Sequence, residues 1–153
     1  MAKYKKHILV CGGSCCKSGN SQQMADTFRS MIFERGLQDE VQVIQTGCFG
    51  LCDKGPIVKV MPDNTFYTKV TLNDVSRIMD EHIVGGHKVE DLLFVDPETG
   101  NKVENNEKGE FHKKQIRIAL RNCGVIDPEN INDYIAHDGY IALGDCLTNH
   151  TPE

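Results

Sequence analysis

Apolar and polar positions over the first 86 residues fall into runs of two kinds. Residues 7–11 (His-Ile-Leu-Val-Cys) form a short apolar run, and residues 41–46 (Val-Gln-Val-Ile-Gln-Thr) alternate. Both have the length and β-branched content of strands. Ile57 to Met61 and Thr65 to Val70, separated by Pro62-Asp63-Asn64, read as a hairpin. Between the first two strands, Met24, Phe28, Met31 and Ile32 recur at helical spacing. Asn20 and Gln23 occupy the positions of a capping box, and Gly36 marks the stop. Val75, Ile78, Met79 and Ile83 give the apolar face of a second helix, which Thr71 and Asp74 open and Gly85-Gly86 close.

The resulting order, β-α-β-β-β-α, is that of a compact α/β thioredoxin-like domain with helices packed on a mixed sheet. Residues 1–86 suffice for it. Residues 87–110 read as a linker: 87–95 are mixed, and 96–110 carry Pro97, Gly100, Asn101, Asn105, Asn106 and Gly109. Residues 111–123 turn helical again, with Ile116, Ala119, Leu120 and Cys123 on one face. Asp127-Pro128-Glu129 has the form of a helix start, with Asp as cap and Pro in the first turn. Two short helices are expected from there to Leu147, so 111–153 forms a helical segment after the linker.

Charge and composition narrow the function. The net charge of -5 over 153 residues argues against nucleic-acid binding, which needs clustered Lys and Arg. No apolar run is long enough to span a bilayer. The basic start, Met1 to Lys6, leads into a strand rather than a signal-peptide core, so a cytoplasmic location is expected. There, seven cysteines point to metal or redox chemistry rather than to a disulfide framework.

Four of those cysteines form two pairs, each just after a strand. Cys11 and Cys16 are spaced C-x4-C, and Cys48 and Cys52 are spaced C-x3-C. If the two strands are neighbours in one sheet, both loops leave the same end and the thiols converge. Four Cys thiolates are the ligand set of a [2Fe-2S] cluster. The glycines around them (Gly12, Gly13, Gly47, Gly50 and Gly55) let backbone amides approach the sulfurs. Structural zinc also takes four Cys, usually with tighter knuckle spacing. A thiol–disulfide site prefers C-x-x-C at a helix start, and no such pair is present. Spacing alone leaves Cys15 and Cys16 as equal candidates for the first pair.

The stretches VCGGSCCKSGNS and TGCFGLCDKGPIVKVMPDNTFY resemble the N-terminal ferredoxin domain of a flavoprotein family. That family comprises beta subunits of multimeric iron hydrogenases, NADP-reducing hydrogenases and NAD(P)-linked formate dehydrogenases, with kinship to the NADH-binding subunit of complex I. The stretch FHKKQIRIALRNCGVIDPENINDYIAHDGYIAL resembles the start of the flavin-binding core that follows. The resemblance implies ligation of a [2Fe-2S] cluster by Cys11, Cys16, Cys48 and Cys52. It places Cys15 where the family usually has Gly. It further implies a parent oxidoreductase whose FMN, NAD(P) and [4Fe-4S] sites lie beyond Glu153, so the chain reads as stopping early in the flavin core and as catalytically incomplete. The partners implied are other iron–sulfur and flavin subunits.

The remaining chemistry-bearing residues have plainer readings. Lys113, Arg117 and Arg121 make a basic stripe that a solvated helix face explains. Cys123 reads as a core residue on the apolar face of that helix, and Cys146 as a lone thiol. The six His have no i, i+3 or i, i+4 pair, which disfavours a His site. Phe49 and Leu51, between two candidate ligands, suit either water exclusion or ordinary packing. The functional expectation is electron transfer through a [2Fe-2S] cluster. The alternatives are a zinc-binding or metal-free docking module and, behind it, a thiol oxidoreductase.

Overall fold

The first apolar run becomes β1 (Lys6–Cys11), and its side chains alternate between two cores. Ile8 and Val10 join Met24, Ala25, Phe28 and Ile32 of the long helix α2 (Ser21–Glu34) on one face. Leu9 and Cys11 turn to the other face, with Ile44, Phe66 and Phe94. A strand covered on both sides carries no polar face, which is why residues 8–11 read as a continuous apolar run. The computed structural model describes residues 4–96, 99–103, 116, 118, 119, 121–123 and 125–151. Pro97, Asn105, Asn106, Gly109, Lys113, Arg117 and Leu120, on which parts of the expected linker, helix and basic stripe rest, lie outside them.

β1 pairs in parallel with β2 (Val41–Thr46), Cys11 standing opposite Thr46. On its other edge it pairs antiparallel with β3 (Val58–Met61), which pairs with β4 (Thr65–Tyr67), giving the order β2-β1-β3-β4. The parallel pair requires a crossover, and α2 supplies it. α2 ends in a Schellman motif: Leu37 N–H donates to the Ile32 carbonyl at 2.9 Å and Gly36 N–H to Phe33 at 3.1 Å, with Gly36 at φ +68°.

Its start differs from the expected capping box. Asn20 is left-handed at φ 68° and its side chain makes no cap bond. It instead links α2 to a further short helix, α1 (Ser14–Ser18), within the stretch read as loop. Five residues between glycines carry no apolar period, so the pattern has nothing to signal there.

Thr71 opens α3 (Leu72–Arg77) as expected, its N–H donating to the Asp74 carboxylate at 2.9 Å. The helix then widens into π-type turns over Ile78–Val84, burying Val75, Ile78, Met79 and Ile83. Beyond Gly86 the chain does more than the mixed pattern suggests. Val89, Leu92, Leu93 and Phe94 are buried, and β5 (Phe94–Val95) pairs with β6 (Lys102–Val103). Arg77 fastens this stretch to α3 through two hydrogen bonds to Asp91, at 2.8 and 2.9 Å.

In the tail, Ala119, Arg121, Asn122 and Cys123 lie in turns rather than in helix. Asp127 holds a turn, accepting from Glu129 N–H at 3.0 Å, and the cap of α4 (Ile131–Ala136) is Asn130, three residues later than expected. α5 (Ile141–Asn149) follows. Neither helix buries a residue.

Candidate functional site

Because β1 and β2 are parallel neighbours ending in register, the segments that follow them leave one end of the sheet together. Cys11 is the last residue of β1, and the strand's alternation turns it to the Leu9 side. Cys16 lies on α1, and the short loop after β2 carries Cys48. Cys52 opens a 3-10 turn, Cys52–Lys54, that leads to β3. All four sequence-predicted ligands, together with Cys15, are therefore at this end.

They divide by environment. Cys11 and Cys16 are buried among Leu9, Ile44, Phe49, Leu51, Ile57 and Phe66, whereas Cys48, Cys52 and Cys15 are exposed. Phe49 stacks edge-on to Phe66 at 5.3 Å, and Phe66 to Phe94 at 6.0 Å. Phe49 and Leu51 thus pack in the core and at the same time wall off the buried thiols.

Burial pushes the Cys16 thiol up to about 12, helped by hydrogen bonding to Cys11 and by its charge. The Cys52 thiol is pushed up to about 11, first by hydrogen bonding with Cys15, then by the charges of Cys15 and Cys48. These interactions place Cys16 beside Cys11 and Cys52 between Cys15 and Cys48. The helical turn of α1, which rotates successive residues by about 100°, sends Cys16 inward and Cys15 outward.

Two glycines are needed by the close approach of the sulfurs. A Cβ on Gly13 would lie 3.0 Å from the Cys48 sulfur and 3.6 Å from that of Cys11. A Cβ on Gly55 would lie 2.8 Å from the Cys16 sulfur. Two backbone amides already serve thiols: Gly50 N–H donates to Cys48 Sγ at 3.3 Å, and the Ile57 backbone hydrogen-bonds the Cys16 sulfur.

Among the described residues, no three His, Cys, Asp or Glu side chains are placed to share a single ion. Five thiols meet at this end, Cys16 beside Cys11 and Cys52 beside Cys15 and Cys48, and Cys thiolates are the donor set of a [2Fe-2S] cluster. The donor chemistry, the apolar wall and the space kept by Gly13 and Gly55 fit a [2Fe-2S] group.

Cys123 is placed differently from the sequence reading. It is half-buried, not in a core, and its thiol donates to the Cys48 carbonyl at 3.1 Å. Helical periodicity over 116–123 cannot reveal this, because none of the described residues there is in a helix. Cys146 is exposed on α5.

The family model of the thioredoxin-like [2Fe-2S] ferredoxin matches residues 2–82. A "Ferredoxin, 2Fe-2S" of Clostridium pasteurianum is 42% identical over 101 residues, spanning 60% of this chain and 98% of that protein. The NADP-reducing hydrogenase subunit HndC of Solidesulfovibrio fructosivorans is 67% identical over 36 residues, which is 24% of this chain and 7% of that one. A solved thioredoxin-like [2Fe-2S] ferredoxin from Aquifex aeolicus superimposes with a TM-score of 0.54 at 32% identity, covering 58% of this chain and 89% of its own.

Proposed function

Because the chain belongs to the family of thioredoxin-like [2Fe-2S] ferredoxins, we propose that Cys11, Cys16, Cys48 and Cys52 hold its cluster. The cluster, when bound, carries one electron at a time, and ferredoxin-type electron transfer is the activity of the domain. The observation that supports the ligand assignment is the gathering of the buried Cys11 and Cys16 with the exposed Cys48 and Cys52 at the shared end of β1 and β2, Cys15 being turned outward on α1.

Each residue has a share in that activity. Cys11 and Cys16 anchor the group within the apolar wall, which keeps water from one half of it. Cys48 and Cys52 leave the other half toward solvent, where a redox partner approaches. The Gly50 amide favours added negative charge on the Cys48 sulfur and so supports the reduced state.

The wider setting is a NAD(P)-linked oxidoreductase of hydrogenase type, supported by the 36-residue likeness to HndC. In that reading residues 111–153 begin a flavin- and NADH-binding core, and the FMN, NAD(P) and [4Fe-4S] sites belong to the rest of such a subunit. Its partners are other iron–sulfur and flavin subunits. The bare apolar side chains of α4 and α5 support it: Ile131, Ile135, Ile141 and Leu147 are each more than half exposed.

The test is anaerobic absorption with iron, zinc and acid-labile sulfide assays on the full chain and its Cys→Ala variants. About two irons and two sulfides per chain are expected, retained in Cys15→Ala and lost or halved in Cys16→Ala. The reverse pattern in those two variants would move the ligand to Cys15.

A further inference from the structure

We propose that Cys123 is a positioning residue for the cluster loop, its thiol fixing the peptide of Cys48 from a segment 75 residues further along the chain. The inference rests on Cys48 being a ligand. Cys48 is exposed, so the apolar wall that holds Cys11 and Cys16 does not hold it. It is gripped instead at two points: Gly50 N–H reaches its sulfur at 3.3 Å, and the Cys123 thiol donates to its carbonyl at 3.1 Å.

The contact is built from both sides. Cys123 sits within a turn closed by Val125 N–H donating to the Asn122 carbonyl at 3.1 Å, which presents it. Arg121 and Val125 beside it are exposed, while Cys123 is half-buried. On the loop side, Gly47 leaves room for the sulfur: a Cβ there would stand 2.8 Å from Cys123 Sγ. The thiol therefore fits only over a residue without a side chain, one position before the ligand.

The electrostatic consequence has a sign. A thiol proton on the Cys48 carbonyl offsets the negative end of that dipole next to a group that gains negative charge on reduction. Removing the donor makes reduction harder.

The experiment uses the full chain loaded with its cluster, with the midpoint potential read by redox titration and the reduced cluster by electron paramagnetic resonance. Cys123→Ala is expected to lower the midpoint and alter the resonance line shape at unchanged iron and sulfide content. Cys123→Ser, whose hydroxyl donates to the same carbonyl, restores most of both. Gly47→Ala pushes the thiol off and moves the midpoint in the same direction as Cys123→Ala. An unchanged midpoint and spectrum in Cys123→Ala, or a Ser variant no different from the Ala variant, overturns the proposal. Cys48→Ala, run alongside, separates the two readings: full cluster content there removes Cys48 as a ligand. Loss of cluster there, with Cys123→Ala silent, removes only the positioning role.

Discussion

Gly50 has φ +82°, in the left-handed region, and from that conformation its amide faces the Cys48 sulfur. A Cβ there is disfavoured by roughly 1–2 kcal/mol. Gly50→Ala is expected to lower thermal stability by about that amount and to lower the midpoint potential, because the turn that aims the amide relaxes. A redox titration beside a melting curve checks both, and an unchanged midpoint would show that the amide does not tune the cluster. Glycine-rich loops with amides directed at sulfur were legible in the sequence, and Gly50 is where that happens. Which of Cys15 and Cys16 turns inward was not legible from spacing, since it depends on a single turn of α1 that leaves no apolar period.

β1 separates the two cores by parity, and this gives an element-scale test. Ile8 faces α2 and Leu9 faces the thiols, and both are almost fully buried. Either one changed to Ala should cost about 2–5 kcal/mol by opening a cavity. Only Leu9→Ala opens it beside Cys11 and Cys16, so only that variant should release iron faster to a chelator. Equal release from the two variants would mean that the wall does not protect the cluster. Strand β1 was legible as a continuous apolar run of strand length, and β2, α2 and α3 because each buries a periodic face. The burial of Val89 and Leu92 to Phe94 was not: strands of two residues, as in β5 and β6, are too short to show alternation. Asp127-Pro128 misplaced the start of α4 because an Asx turn uses the same residues as a helix cap.

Across the whole molecule, one polar network ties the hairpin, α3 and the chain beyond it together. Val89 N–H donates to the Tyr67 hydroxyl at 3.1 Å, and that hydroxyl lies 2.8 Å from His82 Nδ1. His82 Nε2 lies 3.2 Å from the Asp63 carboxylate. With Tyr67 donating to Nδ1 and Nε2–H donating to Asp63, neutral His82 satisfies every partner. Burial lowers the His82 pKa below its ordinary 6.5, against the pull of Asp63 and with the help of Lys6 and Lys88. The unfolded chain therefore takes up a proton near that ordinary value while the folded chain refuses it. Stability is full above it and declines as pH falls through the window beneath it. The melting temperature should fall more between about pH 7.5 and about pH 5.5 in the native protein than in His82→Gln, which starts lower and slopes less. Parallel slopes would assign the acid sensitivity to other groups. The parallel pairing of β1 with β2 has a further consequence once iron bridges the cysteines. Cys11 and Cys52 become two points on a closed ring of about 40 residues that contains the whole of α2, and closing such a ring removes unfolded-chain entropy on the order of 4 kcal/mol. The inorganic group is then a cross-link as well as a carrier. Stripping it should lower the melting temperature and loosen α2, an element that supplies none of the four proposed ligands.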